Sequence, residues 1–388
     1  MLLELMKPLS QEITEHFLTF PANSWAHKIF FADKAGVDFD LFDLAIIGIE
    51  EDRNSVSNQG CAKGINLVRQ ELYKLVAQNE QLTIVDLGNL QPGETVTDTY
   101  FGLAAIVNEL LSKQVLPIII GGSHDLTLAQ YHGYQNLDRK VNLVVVDEKI
   151  DLTNLDGDVT DNNYLGRIFS DKPNILFGFS HLGYQSYFAD PKTVNTLEKL
   201  NFDCYRLGDV RKNMEDVEPI VRDADMLSFD LTAIKMSDAP GVGMPSPHGF
   251  YGEEACQIMR YAGLSDRLTS LGIYGYNPAF DNHTQTAQLA AQLIWYFVEG
   301  YYNRKKDYPD TESRDYLKYI VDFNEGEYEL VFWKSKKTER WWLQIPRVTQ
   351  EEEKIDVANA LMSCSYNDYK QACKDELPER WLKAFERI

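Results

Sequence analysis

"VLPIIIGGSHD" (115–125) and "VNLVVVDEKID" (141–151) are apolar runs too continuous to leave one face in water, and each breaks off in glycines or charges. A half-exposed strand alternates apolar with polar residues, whereas a strand buried on both faces does not, and such strands belong to parallel sheets. Comparable runs recur at 42–52, 82–90, 174–180, 202–210, 224–232 and 268–278. Helical periodicity fills intervals between them, as in "INLVRQELYKLV" (65–76) and "DTYFGLAAIVNELLSKQ" (98–114). Parallel strands need long crossovers, and helices on both faces supply them. The expected fold is therefore α/β, a three-layer α/β/α domain with a doubly wound parallel sheet.

The run "TAQLAAQLIWYFVEGYY" (286–302) is too long for a strand and reads as a closing helix. Beyond it, "NRKKDYPDTESRD" (303–315) reads as a charged linker, and "EYELVFWKSKKTERWWLQIP" (327–346) as a two-stranded aromatic unit with a basic turn. The remainder, from "DVANALMSCSYNDYKQ" onward, reads as helical. The expected organisation is a leader (1–42), the α/β domain (43–302), and a linker with a C-terminal aromatic and helical extension (303–388). Trp333, Trp341 and Trp342 are expected to pack rather than to bind a ligand.

Open α/β sheets bind ligands beyond the carboxyl ends of their strands. That is where His124, Asp147, Lys149, Asp151 and Asp230 fall. Alternation along an extended chain would aim Asp147, Lys149 and Asp151 to one side. Two carboxylates around one place suit a divalent ion, but the lysine between them offers donors and no lone pair.

Composition removes some partners. With 38 Lys+Arg against 59 Asp+Glu the formal charge is −21, so neither nucleic acid nor an anionic membrane is the expected partner. The five cysteines, Cys61, Cys204, Cys256, Cys364 and Cys373, show no metal spacing and read as reduced thiols, with Cys61 inert. Charges interrupt the first residues where a signal peptide needs an apolar core, and no apolar run reaches the ~18 residues of a bilayer span. The expected location is cytoplasmic.

Four ordered motifs, "GGSHD", "DEKID", "SFDLTAIKMSDAPGVG" and "YGYNP", together with "NQGCAKGINLVRQEL", resemble the ureohydrolase family of arginase, agmatinase and formimidoylglutamase from about residue 43 to 302. The resemblance implies a two-manganese site that hydrolyses amidino or guanidino C–N bonds. It makes His124, Asp147, Asp151 and Asp230 the ligands of one ion. The second ion would need a histidine and an aspartate where this chain has Lys149 and Thr232. The glutamate that the resemblance makes a guanidinium partner falls at Gly275, the arginase shuttle histidine at Leu165, and a further acidic position at Lys235. Three aspartates and Lys149 leave a formal −2, which one divalent ion would neutralise, so Lys149 is expected to stand in for the missing metal.

The function expected is a catalytically diverged or inactive ureohydrolase-like protein, using the cleft to bind a small molecule or its surface to bind a protein. One alternative is an active metal-dependent hydrolase of amidino or guanidino C–N bonds with an altered, mononuclear site, drawing on Lys149, His181 or His248 for catalysis. The other is a structural assembly partner acting through the extension. The expected cofactor is one Mn2+ or other divalent ion per chain, or none. A homo-oligomer is compatible with the family.

Overall fold

The structure, a computed structural model, describes residues 5–33, 36–77, 83–153, 157–309, 314–323, 328–345 and 361–387. Its larger sheet holds β1 (Met6–Lys7), β2 (Ile29–Phe31), β3 (Leu44–Ile49), β4 (Ile84–Leu90), β5 (Leu116–Ile120), β6 (Val141–Val146), β7 (Leu176–Tyr184), β8 (Asp203–Arg206), β9 (Met226–Asp230) and β10 (Ser270–Tyr274). The order is β1-β4-β3-β5-β10-β9-β6-β7-β8, with β2 also against β4. Every pairing is parallel except that of β1 on β4. The two short strands of the leader thus extend the sheet.

The continuous apolar runs are explained by a core on each face. Ile46, Ile118, Val144, Leu227 and Leu271 pack with Leu72 of the helix Ile65–Lys74, Met259 of Gly252–Gly263 and Phe297 of Gln285–Tyr302. Their neighbours Ile47, Ile119, Val145 and Met226 pack with Val107 of the helix Val96–Ser112, Leu128 of Leu126–His132 and Leu165 of Tyr164–Ser170. Burying each such side chain stabilises the fold by about 1.5–3 kcal/mol. The helix Val96–Ser112 starts at a capping box, in which Thr95 accepts from the Asp98 N–H and Asp98 accepts from the Thr95 N–H.

Successive β5 and β6 are separated in the sheet by β10 and β9. The chain therefore reverses its winding there, and the loops leaving β5, β6, β9 and β10 open a crevice at one edge.

The extension is a second, antiparallel sheet of β11 (Tyr316–Phe323), β12 (Tyr328–Ser335), β13 (Trp341–Gln344) and β14 (Leu361–Cys364), in that order. The aromatic hairpin is present as β12 and β13, but two further strands flank it. Residues 361–364, expected to be helical, instead complete the edge of β13, and Ser363 is anchored to Asp223 of the larger domain through both its N–H and its hydroxyl. Helices Tyr366–Ala372 and Glu379–Arg387 follow. Trp341 and Trp342 are buried, and the Arg222 guanidinium lies 4.5 Å from the Trp342 ring while donating to the carbonyls of Trp341 and Cys364. The start of the expected linker is docked: Arg304 donates to the carbonyls of Gly263 and Leu268. Residues 310–313 of that linker, and 346–360, lie outside the described residues. Among the described residues no helix is long and apolar enough to cross a membrane.

Candidate metal centre

The double glycine after β5 permits two close approaches. A Cβ on Gly121 would meet the Tyr274 ring at 2.2 Å, and one on Gly122 the Glu51 carbonyl oxygen at 2.1 Å. The chain leaving β5 can therefore press against its neighbours and set His124 at the crevice floor. On one side the imidazole Nε2 lies 3.0 Å from Ser228 Oγ of β9, and that hydroxyl is 2.6 Å from Thr127 Oγ1. On the other side Nδ1 lies 3.2 Å from Asp147 Oδ2, 3.3 Å from Asp151 Oδ2 and 3.3 Å from Asp230 Oδ2. All four side chains are buried. His124, Asp147 and Asp151 have ligand atoms mutually within 4.8 Å, and Asp230 faces the same imidazole nitrogen.

Asp147, Lys149 and Asp151 do not alternate along a strand as expected, because β6 ends at Val146. The Lys149 N–H donates to Asp147 Oδ1 at 3.1 Å, closing a turn of the kind that aspartate side chains favour. The turn places Asp151 beside Asp147 and sends the Lys149 side chain elsewhere. Its ammonium lies 3.4 Å from Glu148 Oε1 and 5.2 Å from the Phe188 ring centroid, and the side chain is 32% exposed. Among the described residues its ion pair is with Glu148 and not with the three aspartates, so the lysine does not occupy a missing ion's place.

Thr232 has a more intimate part. Its N–H donates to Asp230 Oδ1 at 2.7 Å and its hydroxyl to Asp147 Oδ1 at 3.2 Å. Asp147 and Asp230 thus each spend one oxygen on Thr232. A Cβ on Gly275, whose φ is +89°, would fall 2.9 Å from Asp230 Oδ1, so this backbone leaves little room for a side chain.

Three acids around one imidazole cannot all stay charged without a cation. Burial pushes the Asp147 carboxyl up, yet the His124 imidazole pulls it down to about 2. Burial and the Asp147 charge hold Asp151 well above the carboxylate range. Asp230 rises to about 6 through burial, with His124 opposing and Asp147 reinforcing the rise. Burial would lower His124, but Asp230, Asp147 and Asp151 raise it well above its ordinary value.

The remaining candidates scatter. His181 lies in β7, buried, with Nε2–H donating to the Lys149 carbonyl at 2.7 Å. Burial lowers its pKa to about 4, so it stays neutral. His248 is exposed and not on the cleft wall, which is formed by Ser55, Asn58, Lys149, Asp161, Thr232 and Met244 around the four converging residues. Leu165 is a core residue of its helix, and the Lys235 ammonium lies over the Tyr251 ring. Cys61 is buried and burial raises its thiol pKa, which leaves it unreactive. Sequence reasoning missed Ser228 and Tyr164. Ser228 carried one signal, a polar residue inside a strand otherwise apolar on both faces, while Tyr164, whose hydroxyl is 3.3 Å from His124 Nε2, carried none.

The donor set fits a divalent ion. His124 Nδ1 is buried without a hydrogen bond while facing three carboxylate oxygens. With an ion between them, Nε2–H would donate to Ser228 and Nδ1 would give its lone pair to the ion, which would replace the proton that the acids favour on Nδ1 in its absence. The 3.2–3.3 Å spacings match adjacent donors on an octahedral ion, about 3.0–3.4 Å apart for bonds of about 2.1–2.4 Å.

Comparison with known proteins agrees with this architecture. The family described as the Arginase family matches residues 42–299. A formimidoylglutamase of Staphylococcus haemolyticus (strain JCSC1435) is 26% identical over 293 residues, which is 73% of this chain and 92% of the relative. One of Lysinibacillus sphaericus (strain C3-41) is 24% identical over 270 residues, 66% and 84% of the two chains. Among solved structures, formiminoglutamase of Trypanosoma cruzi with Mn2+2 superposes with a TM-score of 0.65 at 22% identity, covering 70% of this chain and 97% of that one. Arginase from Bacillus subtilis gives a TM-score of 0.56 at 21% identity, covering 66% and 98%. The second sheet, β11–β14, lies beyond the matched residues.

Proposed function

The chain belongs to the arginase family, and on that premise we propose that it is a metal-dependent hydrolase of amidine-type C–N bonds, formimidoylglutamase-like in reaction, working from a one-ion centre. The observation that carries this is the convergence of Asp147, Asp151 and Asp230 on His124 Nδ1 within 3.2–3.3 Å. Those four residues would hold the ion, Mn2+ by the family resemblance. A divalent ion held there supplies Lewis acidity that polarises the scissile group and acidifies water. The chain's own residues do the positioning. Ser228 holds the imidazole with Nδ1 toward the acids, and Thr232 and the Lys149 N–H fix the Asp147 carboxylate from its other oxygen. Water adds to the amidine carbon, the C–N bond breaks, and the amine leaves with a proton.

Similarity to formimidoylglutamases and the missing glutamate at Gly275 favour a formimidoyl over a guanidino substrate. Of the three side chains weighed for catalysis, only Lys149 lines the cleft, and its ammonium pairs with Glu148 and not with the ion's ligands, which leaves none of the three in a catalytic role. These features displace the non-catalytic reading from first place. That reading keeps one observation in its favour, the closure of the second ion's ligands by Thr232. The test is metal content of protein purified without chelator, together with amine release from N-formimidoyl-L-glutamate, arginine and agmatine in Mn2+. One ion per chain and turnover of the formimidoyl substrate, abolished in Asp147→Asn, is the result expected. One bound ion without turnover of any substrate would favour a binding protein instead.

A further inference from the structure

We propose that Lys149 selects a substrate bearing a carboxylate, by pairing its ammonium with that group at the cleft mouth; this rests on the hydrolase reading above. The cleft wall carries Asp147, Asp151, Asp161 and Asp230, and Lys149 is the one lysine or arginine among its described residues. An anion approaching elsewhere on this wall meets carboxylates. Glu148 engages the ammonium at 3.4 Å, longer than the ~2.7–2.9 Å of a good charge-assisted bond. Glu148 can occupy at most some of the ammonium's three N–H donors, so donors remain for a ligand.

The surroundings suit this role. Phe188, beneath the ammonium, shields one side from water and strengthens its attraction for an anion. Tyr187, Phe188 and Met244 are exposed, and Met244 forms part of the wall, so methylenes between amidine and carboxylate meet an apolar surface. The turn closed by the Lys149 N–H on Asp147 ties the lysine backbone to the same carboxylate that faces His124. The reacting carbon and the recognised carboxylate are thereby set by one short segment.

The test compares N-formimidoyl-L-glutamate with N-butylformamidine, which carries the same reacting group and no carboxylate. Lys149→Met is expected to raise KM for the first on the order of 10–100-fold with kcat within about threefold, to leave the second unchanged, and Lys149→Arg to restore most of the loss. Equal effects on both substrates, or a fall confined to kcat, would overturn the proposal. If neither substrate turns over, the hydrolase reading fails separately, and binding of L-glutamate against n-butylamine to the Mn2+-loaded protein, followed by NMR, still decides the role of Lys149. Glutamate binding that Lys149→Met weakens and Lys149→Arg keeps supports it. Binding that is absent in the wild type, unchanged in Lys149→Met, or lost together with the ion overturns it.

Discussion

The hydroxyl of Thr232 donates to Asp147 Oδ1 at 3.2 Å, while Asp147 Oδ2 faces His124 Nδ1 at the same distance. One carboxylate is thus divided between a slot that suits an ion and a hydrogen bond standing where the resemblance calls for a second ion's ligand. Lys149 reinforces the division with its N–H on Oδ1.

On that division we expect one tightly bound divalent ion per chain. Thr232→Asp with Lys149→His restores the two lost ligand types and adds two formal negative charges, since a neutral threonine and a cationic lysine give way to an aspartate and a neutral histidine. The double variant is expected to take up a second ion, and either single variant to do so poorly. Anomalous diffraction or elemental analysis reads the outcome. Two ions in the wild type, or one in the folded double variant, would count against the Thr232 account.

The three acids make the ion-free centre dependent on protons. Asp151→Asn removes an acid that burial and the Asp147 charge hold well above the carboxylate range, and should leave stability in EDTA within about 1 kcal/mol of the wild type. The wild type should gain about 2.7 kcal/mol when Mn2+ reaches a hundredfold its Kd, and the variant should lose most of that gain. Denaturant melts with and without Mn2+ measure both. A wild-type midpoint insensitive to Mn2+ would sink the idea of a site.

His181 sets a pH dependence of its own. Its pKa is lowered by burial from 6.5 to about 4, so in the folded chain it stays neutral where the unfolded chain is already protonated. Stability from this group is complete above pH 6.5 and is lost as pH falls toward 4, by about 3 kcal/mol at the limit. His181→Gln, which does not titrate, should flatten the slope of unfolding free energy between pH 4 and 6.5 relative to the wild type. Parallel slopes would show that His181 is solvated.

Gly275→Glu puts back the residue type that the resemblance places there, yet should not confer arginine or agmatine hydrolysis. Its backbone has φ +89°, and a Cβ would stand 2.9 Å from Asp230 Oδ1. A cost of about 1–3 kcal/mol is expected from the strained conformation alone, with weaker ion binding as Asp230 is pushed aside. Melting in EDTA gives the first and titration with Mn2+ the second; an undisturbed variant would mean that the loop moves freely.

The sheet was legible in the sequence because burial on both faces leaves a local mark: "VNLVVV" can lie neither on a surface nor on one face of a helix. The same holds for the ligand positions, since Asp230 ends such a run, Asp147 directly follows one and His124 follows another after Gly121, Gly122 and Ser123, and for the exchanges at Thr232 and Gly275, which are matters of residue identity. Strand order was not legible, because the crossing that puts β10 and β9 between β5 and β6 depends on contacts far apart in the chain. Nor was the pairing of β14, whose four residues acquire their strand conformation from β13 and from Asp223. Lys149 shows the difference most plainly. That a lysine stands between two aspartates is a property of the sequence. Where its ammonium goes was decided by a turn that ended β6 at Val146, before alternation could reach Asp147 to Asp151, and by the Glu148 carboxylate and Phe188 ring that the fold brings beside it. Side-chain direction follows the backbone's hydrogen bonds and the neighbours they admit, and those neighbours exist only once the chain has folded.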